Sequence, residues 1–187
     1  LQIANFEARV AELQAKGISP MRHISNTAAT LSNEAAKFDM VRVGLAMYGM
    51  SPLGRDNNLK PIMKVRAKLV VVKELPAGHP IGYGATVVTK EATKIGIVGV
   101  GYADGIPRNA IGAGVTINGQ SAPLIGRVSM DQIAVDLGSN TEAKSGDWVT
   151  VIGENYDIYD WAKACQTITY EITTRISGRI PRTYIES

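Results

Sequence analysis

Cysteine, histidine and long apolar runs are nearly missing from this chain of 187 residues. Cys165 is the sole cysteine, so an internal disulfide is excluded. The two histidines, His23 and His79, lie far apart, with neither a cysteine pair nor HExxH spacing beside them, so no metal site is expected. No stretch approaches the roughly 18 consecutive apolar residues that read as a membrane span. A phosphate loop is absent, and Gly99-Val100-Gly101 has Asp104 where a dinucleotide fingerprint needs its third glycine, which disfavours nucleotide binding. Charge of one sign is scarce too: 20 Lys plus Arg face 17 Asp plus Glu for a net charge of +3, without a run or stripe. Neither a nucleic acid nor a membrane is therefore an expected partner. What remains, with 45% apolar and 20% charged residues, 19 Gly and 8 Pro, is the composition of a globular domain.

From Leu1 to Gly17, Ile3, Phe6, Val10 and Leu13 fall at helical spacing between charged residues, and no charged leader precedes them. This predicts an amphipathic helix with Gly17 just beyond its end, not a signal peptide. A helix normally starts at a capping residue, so a chain already in helical register at Leu1 is expected to continue upstream. Ile18 to His23 reads as a connector and strand, Thr27 as a cap for the short Ala-rich helix after it, and Phe38 to Gly49 as a strand apolar on both faces, like those of a parallel sheet. The turn-rich Gly54 to Asn58 then predicts a boundary near residue 55. Residues 1–55 thus read as the tail of an α/β unit, and 56–187 as a mainly-β domain.

Beyond the boundary, Val- and Ile-rich runs separated by Gly, Pro or Asp predict strands over 62–75, 86–89, 94–101, 115–117, 122–125, 132–137 and 147–152. Asn118-Gly119 predicts a two-residue hairpin turn. After Gly153 the spacing of Ile158, Trp161 and Ala162, and of Ile168, Ile172 and Ile176, predicts two helices, with 180–185 as an extended edge. Cys165 lies within the helical pattern and reads as a packed small side chain.

Polar residues in apolar settings are the candidates for chemistry. Arg42, inside Met40 to Gly44, should be buried and must then meet an acceptor; an ion pair, an escape to solvent at the strand end and a ligand contact all remain open. Tyr83 lies between two glycines, where missing side chains let a ligand or another backbone approach, although a packed turn aromatic fits as well. Tyr102, before Asp104-Gly105, and the stretch Gly126 to Asp131 carry the same ambiguity.

Taken in order, HISNTAATL, FDMVRVGLAMYG, IGYGAT, VGYADG, APLIGRVSMDQ and TYEITTRISGRIPR resemble the C-terminal half of the alanine racemase family over essentially the whole chain. The resemblance implies a fragment of a fold-type III pyridoxal phosphate enzyme: the end of a (β/α)8 cofactor-binding barrel, then a β domain. It also implies a homodimer whose active sites are shared between subunits, and interconversion of L- and D-alanine, which supplies D-alanine for the bacterial cell wall from the cytoplasm.

By position, Tyr83 resembles the catalytic tyrosine that takes the α-proton of L-alanine in the partner subunit's site. A phenol used as a base at neutral pH requires cationic or proton-accepting neighbours. Arg42 resembles the arginine that donates to the pyridine nitrogen of pyridoxal phosphate, with His23 helping to fix it. Thr27, Gly44, Leu45 and Tyr170 match phosphate-binding positions, while Met130, Tyr102 and Arg127 match those that bind substrate or shape its access. Ser129 stands where many relatives have Cys, and Thr27 where many have Ser. The family's cofactor-tethering lysine, in a KANAYGHG-like segment, has no counterpart here, so these 187 residues alone are expected to be inactive. Two other readings stay open: a broad-specificity racemase or related pyridoxal phosphate decarboxylase, and a non-catalytic β module in which Tyr83 and Arg42 merely pack.

Overall fold

Thirteen residues after Leu1 form the helix that their spacing predicts, α1 (Gln2–Gln14). Ile18 N–H returns to the Leu13 carbonyl and Gly17 N–H to that of Gln14, a Schellman closure that requires the left-handed φ of +77° at Gly17. The computed structural model describes residues 1–56, 58–110, 112–153 and 155–185. It divides into two compact units, Leu1–Ile62 and Met63–Ser187.

In the first unit, α2 (Thr27–Ser32) is short, and its cap is Asn26, not Thr27: the Asn26 side chain accepts the Ala29 N–H at 3.0 Å. The strands expected over 18–23 and 38–49 do not form. Asp39 N–H donates to the Arg22 carbonyl and Arg42 N–H to that of Ser25, which lays 22–25 beside 39–42, yet the only bridge in this unit's described residues is the parallel one between Asn26 and Arg42. A parallel strand needs ladder partners along its length, and with one bridge the segment turns instead into a 3-10 helix over Leu45–Tyr48. Continuous apolarity is not matched by burial, since Met47 is 71% exposed. Phe6 and Phe38 pack with ring centroids 5.2 Å apart.

The second unit contains a closed barrel of six antiparallel strands in the order β1-β4-β7-β6-β5-β8. These are β1 (Val65–Leu75), β4 (Thr93–Val98), β5 (Gly114–Ile117), β6 (Gln120–Ile125), β7 (Ile133–Asp136) and β8 (Trp148–Ile152). The Asn118-Gly119 hairpin forms as predicted: both residues have positive φ, and Ile117 pairs with Gln120. Leu69, Val98, Val115, Val135, Val149 and Val151 have no exposed surface and fill the interior. Each contributes roughly 1.5–3 kcal/mol relative to an exposed side chain. Closure leaves these strands no open edge.

The strand expected over 86–89 forms within those bounds, but its partner strand was not foreseen. β2 (Pro80–Ile81) pairs with β3 (Val87–Val88), a small two-stranded sheet of its own whose connecting turn carries Tyr83. Residues 180–185 are irregular and form no edge strand, because no ladder partner meets them. The two predicted helices are α3 (Ile158–Ala164), capped by Asp157, and α4 (Thr169–Arg175). Trp161 of α3 is fully buried, and its indole N–H donates to the Val151 carbonyl at 2.6 Å.

Candidate functional site

The first unit gathers His23, Thr27, Arg42, Gly44 and Leu45 where its two extended segments meet. Arg42 is exposed, not buried as its apolar neighbours suggested; without a sheet over it, the guanidinium reaches solvent at low desolvation cost. One end is anchored, with Nη1 3.0 Å from His23 Nδ1 and 3.3 Å from the His23 carbonyl oxygen. Arginine only donates, so Nδ1 is the acceptor and the His23 proton sits on Nε2. The neighbouring carboxylate, Asp39, is already taken by Arg22 through Nε, Nη2 and the backbone N–H at 2.7–3.0 Å. Those contacts, the side-chain bond first, hold the Asp39 carboxyl down to about 2. Among the described residues no carboxylate pairs with Arg42, which leaves its remaining N–H groups for a ligand.

Thr27 is buried, and its hydroxyl oxygen accepts the Gly44 N–H at 2.9 Å. Gly44 therefore spends the backbone donor assigned to phosphate on Thr27, while the hydroxyl keeps a proton to donate. Leu45 opens the 3-10 turn, where helical geometry gives its N–H no carbonyl. The set consists of a cation, a hydroxyl and a backbone amide. It can hold an anion and donate to a ring nitrogen.

In the second unit Tyr83 is not a packed aromatic: it is 73% exposed at the tip of the β2–β3 hairpin. Gly82, Gly84 and Ala85 around it all have positive φ, at +70°, +76° and +48°. Gly82, with ψ of −174°, occupies a region that only glycine enters readily, so the turn has one shape and presents the phenol outward. Arg127 backs this turn. Its backbone N lies 3.8 Å from where a Cβ on Gly82 would sit, and its guanidinium 3.7 Å from the corresponding point on Gly84. A cavity of about 390 Å³ opens beside them, lined among others by Lys73, His79, Gly82, Arg127 and Ser129. Two cations, Lys73 and Arg127, thus line the cavity at the foot of the Tyr83 hairpin.

Tyr102 and Met130, 47% and 53% exposed, come from two loops that touch. Tyr102 N–H donates to the Ser129 carbonyl and Ala103 N–H to that of Met130, both at 3.0 Å. A side chain on Gly101 would overlap the Met130 and Ser129 carbonyl oxygens, which explains why a glycine precedes Tyr102. Tyr170 is half-exposed on α4. Cys165 is buried, and burial pushes its thiol up to about 11, so it is an inert packing residue. No cluster suited to a metal occurs among the described residues. Sequence reasoning reached Asp131 only as the end of the stretch Gly126 to Asp131 and missed both its ion pair with Arg179, at 2.8 Å across 48 positions, and Ala85. The only signal for the pair was their place in the quoted motifs; nothing local joins them.

Against known proteins, residues 62–184 match the family model for the alanine racemase C-terminal domain, and residues 1–52 the one for the N-terminal domain. An alanine racemase of Beutenbergia cavernae is 44% identical over 88% of this chain and 46% of its own length. The crystal structure of alanine racemase from a D-cycloserine-producing Streptomyces lavendulae superposes with a TM-score of 0.95 at 44% identity, over 100% of this chain and 51% of that one. That of Bartonella henselae, a structure with covalently bound pyridoxal phosphate, gives 0.89 at 32% identity over 98% and 51%. The chain spans about half the length of the relatives it matches.

Proposed function

The chain belongs to the alanine racemase family, and on that premise we propose that the full-length protein interconverts L- and D-alanine with pyridoxal phosphate, Tyr83 serving as the base on the L-face. The observation that carries the reading is the Tyr83 turn: an aromatic 73% exposed, held by three positive-φ residues and backed by the Arg127 cation. The exposure of both Tyr83 and Arg42 speaks against the reading in which they merely pack. The cluster in the first unit suits the cofactor, because its donors match a phosphate and a ring nitrogen.

Pyridoxal phosphate, when bound, withdraws electrons and acidifies the α-hydrogen of an amino acid. Arg42, braced by His23, would hold the ring nitrogen by donation; a guanidinium does not surrender its proton, so the ring remains a weaker electron sink and return of the proton is favoured over decarboxylation. Thr27 would donate to the phosphate, with the Leu45 N–H beside it, and Tyr170 would act as a further phosphate donor. Gly44 would act by orienting the Thr27 hydroxyl through the bond it already makes. Tyr102, Met130 and Arg127 would bound and bind the substrate.

The reading requires a tethering lysine, which would also serve the D-face, and these 187 residues hold no counterpart of the family's lysine segment. The activity is therefore proposed for a homodimer in which one subunit supplies Tyr83 and its partner the cofactor cluster. The proposed domains are a barrel tail and a β domain meeting near residue 55, and the proposed role is cytoplasmic supply of D-alanine to the cell wall. The test uses full-length protein in D2O. Tyr83→Phe should abolish exchange of the α-hydrogen of L-alanine far more than that of D-alanine; equal loss for both enantiomers contradicts the two-base assignment.

A further inference from the structure

Arg179 lies beyond α4 and reaches two loops that leave different strands. Its Nη2 donates to Asp131 Oδ1 at 2.8 Å, and its Nε lies 3.6 Å from Asp104 Oδ1. Asp131 directly follows Met130, and Asp104 ends the 3-10 turn that begins at Tyr102. Asp104 is committed on its other side as well: Oδ2 accepts the Gly101 N–H at 2.9 Å, and its carbonyl accepts the Ser177 N–H at 3.0 Å. The backbone bonds between the loops fix their contact at Ser129 and Met130, and beyond that contact the Asp104 and Asp131 carboxylates reach Arg179 from the two loops. A guanidinium carries its donors in one rigid plane, so an arginine between two carboxylates sets the separation there in a way that a point charge does not. The Arg179 and Asp131 side chains are 52% and 60% exposed. Such a pair contributes little to stability. Its effect is geometric.

We propose that Arg179 is a positioning residue for substrate binding: by clasping Asp104 and Asp131 it fixes the spacing of Tyr102 and Met130, and with it the KM for alanine. This rests on the racemase reading of the same site. The prediction is a split between KM and kcat, because the side-chain contacts of Arg179 run to the substrate-side loops.

The experiment measures racemisation in both directions, with thermal unfolding, for full-length wild type, Arg179→Ala, Arg179→Lys and Asp131→Asn. Arg179→Ala is expected to raise KM roughly tenfold while kcat stays within about twofold and the melting temperature hardly moves. Arg179→Lys, which keeps the charge and loses the planar fork, should recover only part of the change. Asp131→Asn should reproduce the Arg179→Ala effect, and the double variant should be no worse than either single one. A wild-type KM in Arg179→Ala, or a loss of kcat and melting temperature together with KM unchanged, overturns the inference alone. If Arg179→Ala does not fold, Arg179→Lys and Asp131→Asn decide on the same criteria. A full-length wild type that does not racemise alanine overturns the racemase reading, and this inference with it.

Discussion

The Arg42 guanidinium is held by His23, with Nη1 3.0 Å from Nδ1 and 3.3 Å from the carbonyl oxygen of the same residue. One histidine thus orients the arginine twice, and only the ring contact depends on its side chain. His23→Ala in the full-length protein should leave the carbonyl contact and free the guanidinium to rotate. Losing a hydrogen bond to a charged group costs about 1.5 kcal/mol, which corresponds to roughly a tenfold weaker hold on pyridoxal phosphate. Cofactor titration followed by visible absorbance measures it, and unchanged affinity would show that His23 does not brace Arg42.

Asp39 offers a pH-dependent test of the first unit. Its carboxyl is held at about 2 in the fold against an ordinary 3.8, by the Arg22 side-chain bond first and the Arg22 backbone N–H next. The unfolded chain therefore takes up this proton at a higher pH than the folded one does. The resulting stability is complete above about pH 5 and lost as pH falls from about 4 towards 2. Urea midpoints measured across that range should converge for wild type and Asp39→Asn at the acid end and separate above it. Parallel curves would remove Asp39 from the account.

Gly101 is the tightest point between the two substrate-side loops. Gly101→Ala would drive a methyl group into the Met130 and Ser129 carbonyl oxygens, and backbone cannot step aside as a flexible side chain does. The expected loss is about 3 kcal/mol in denaturant unfolding, the upper part of the range for overpacking. A change below about 0.5 kcal/mol, the scale of ordinary surface substitutions, would mean that the loops are not locked together there.

Cys165 should ignore thiol reagents in the native state. With the thiol raised to about 11 by burial, only about one molecule in a thousand carries the thiolate at pH 8. The Cys165 thiol should stay unmodified by an aromatic disulfide reagent in folded protein and react after denaturation, as peptide mapping would show. Fast reaction of the native protein would show that the thiol is accessible.

Much of the β domain was legible in the sequence because its signals are local. The hairpin at Asn118-Gly119 follows from two residues that accept positive φ, and the Val-rich run expected over 62–75 forms β1 (Val65–Leu75). The candidate residues were legible as a set through the motifs of the family. Their geometry was not. Apolar spacing around Arg42 suggested a buried strand, but a strand is made by its neighbours, and the described residues supply Arg42 with one bridge.

By itself the sequence determined the family, the barrel strands and the residue types available for chemistry, because periodicity, turn chemistry and motif order act over a few residues. Tertiary structure alone decided that Tyr83 stands out from a separate hairpin, that Thr27 holds the Gly44 amide, and that Arg179 meets Asp104 and Asp131. Those contacts join positions 17 to 75 residues apart, or depend on a backbone twist that no short segment specifies. In the second unit they exist only once barrel closure and the paired loops have fixed the chain, and in the first only once residues 22–25 lie beside 39–42.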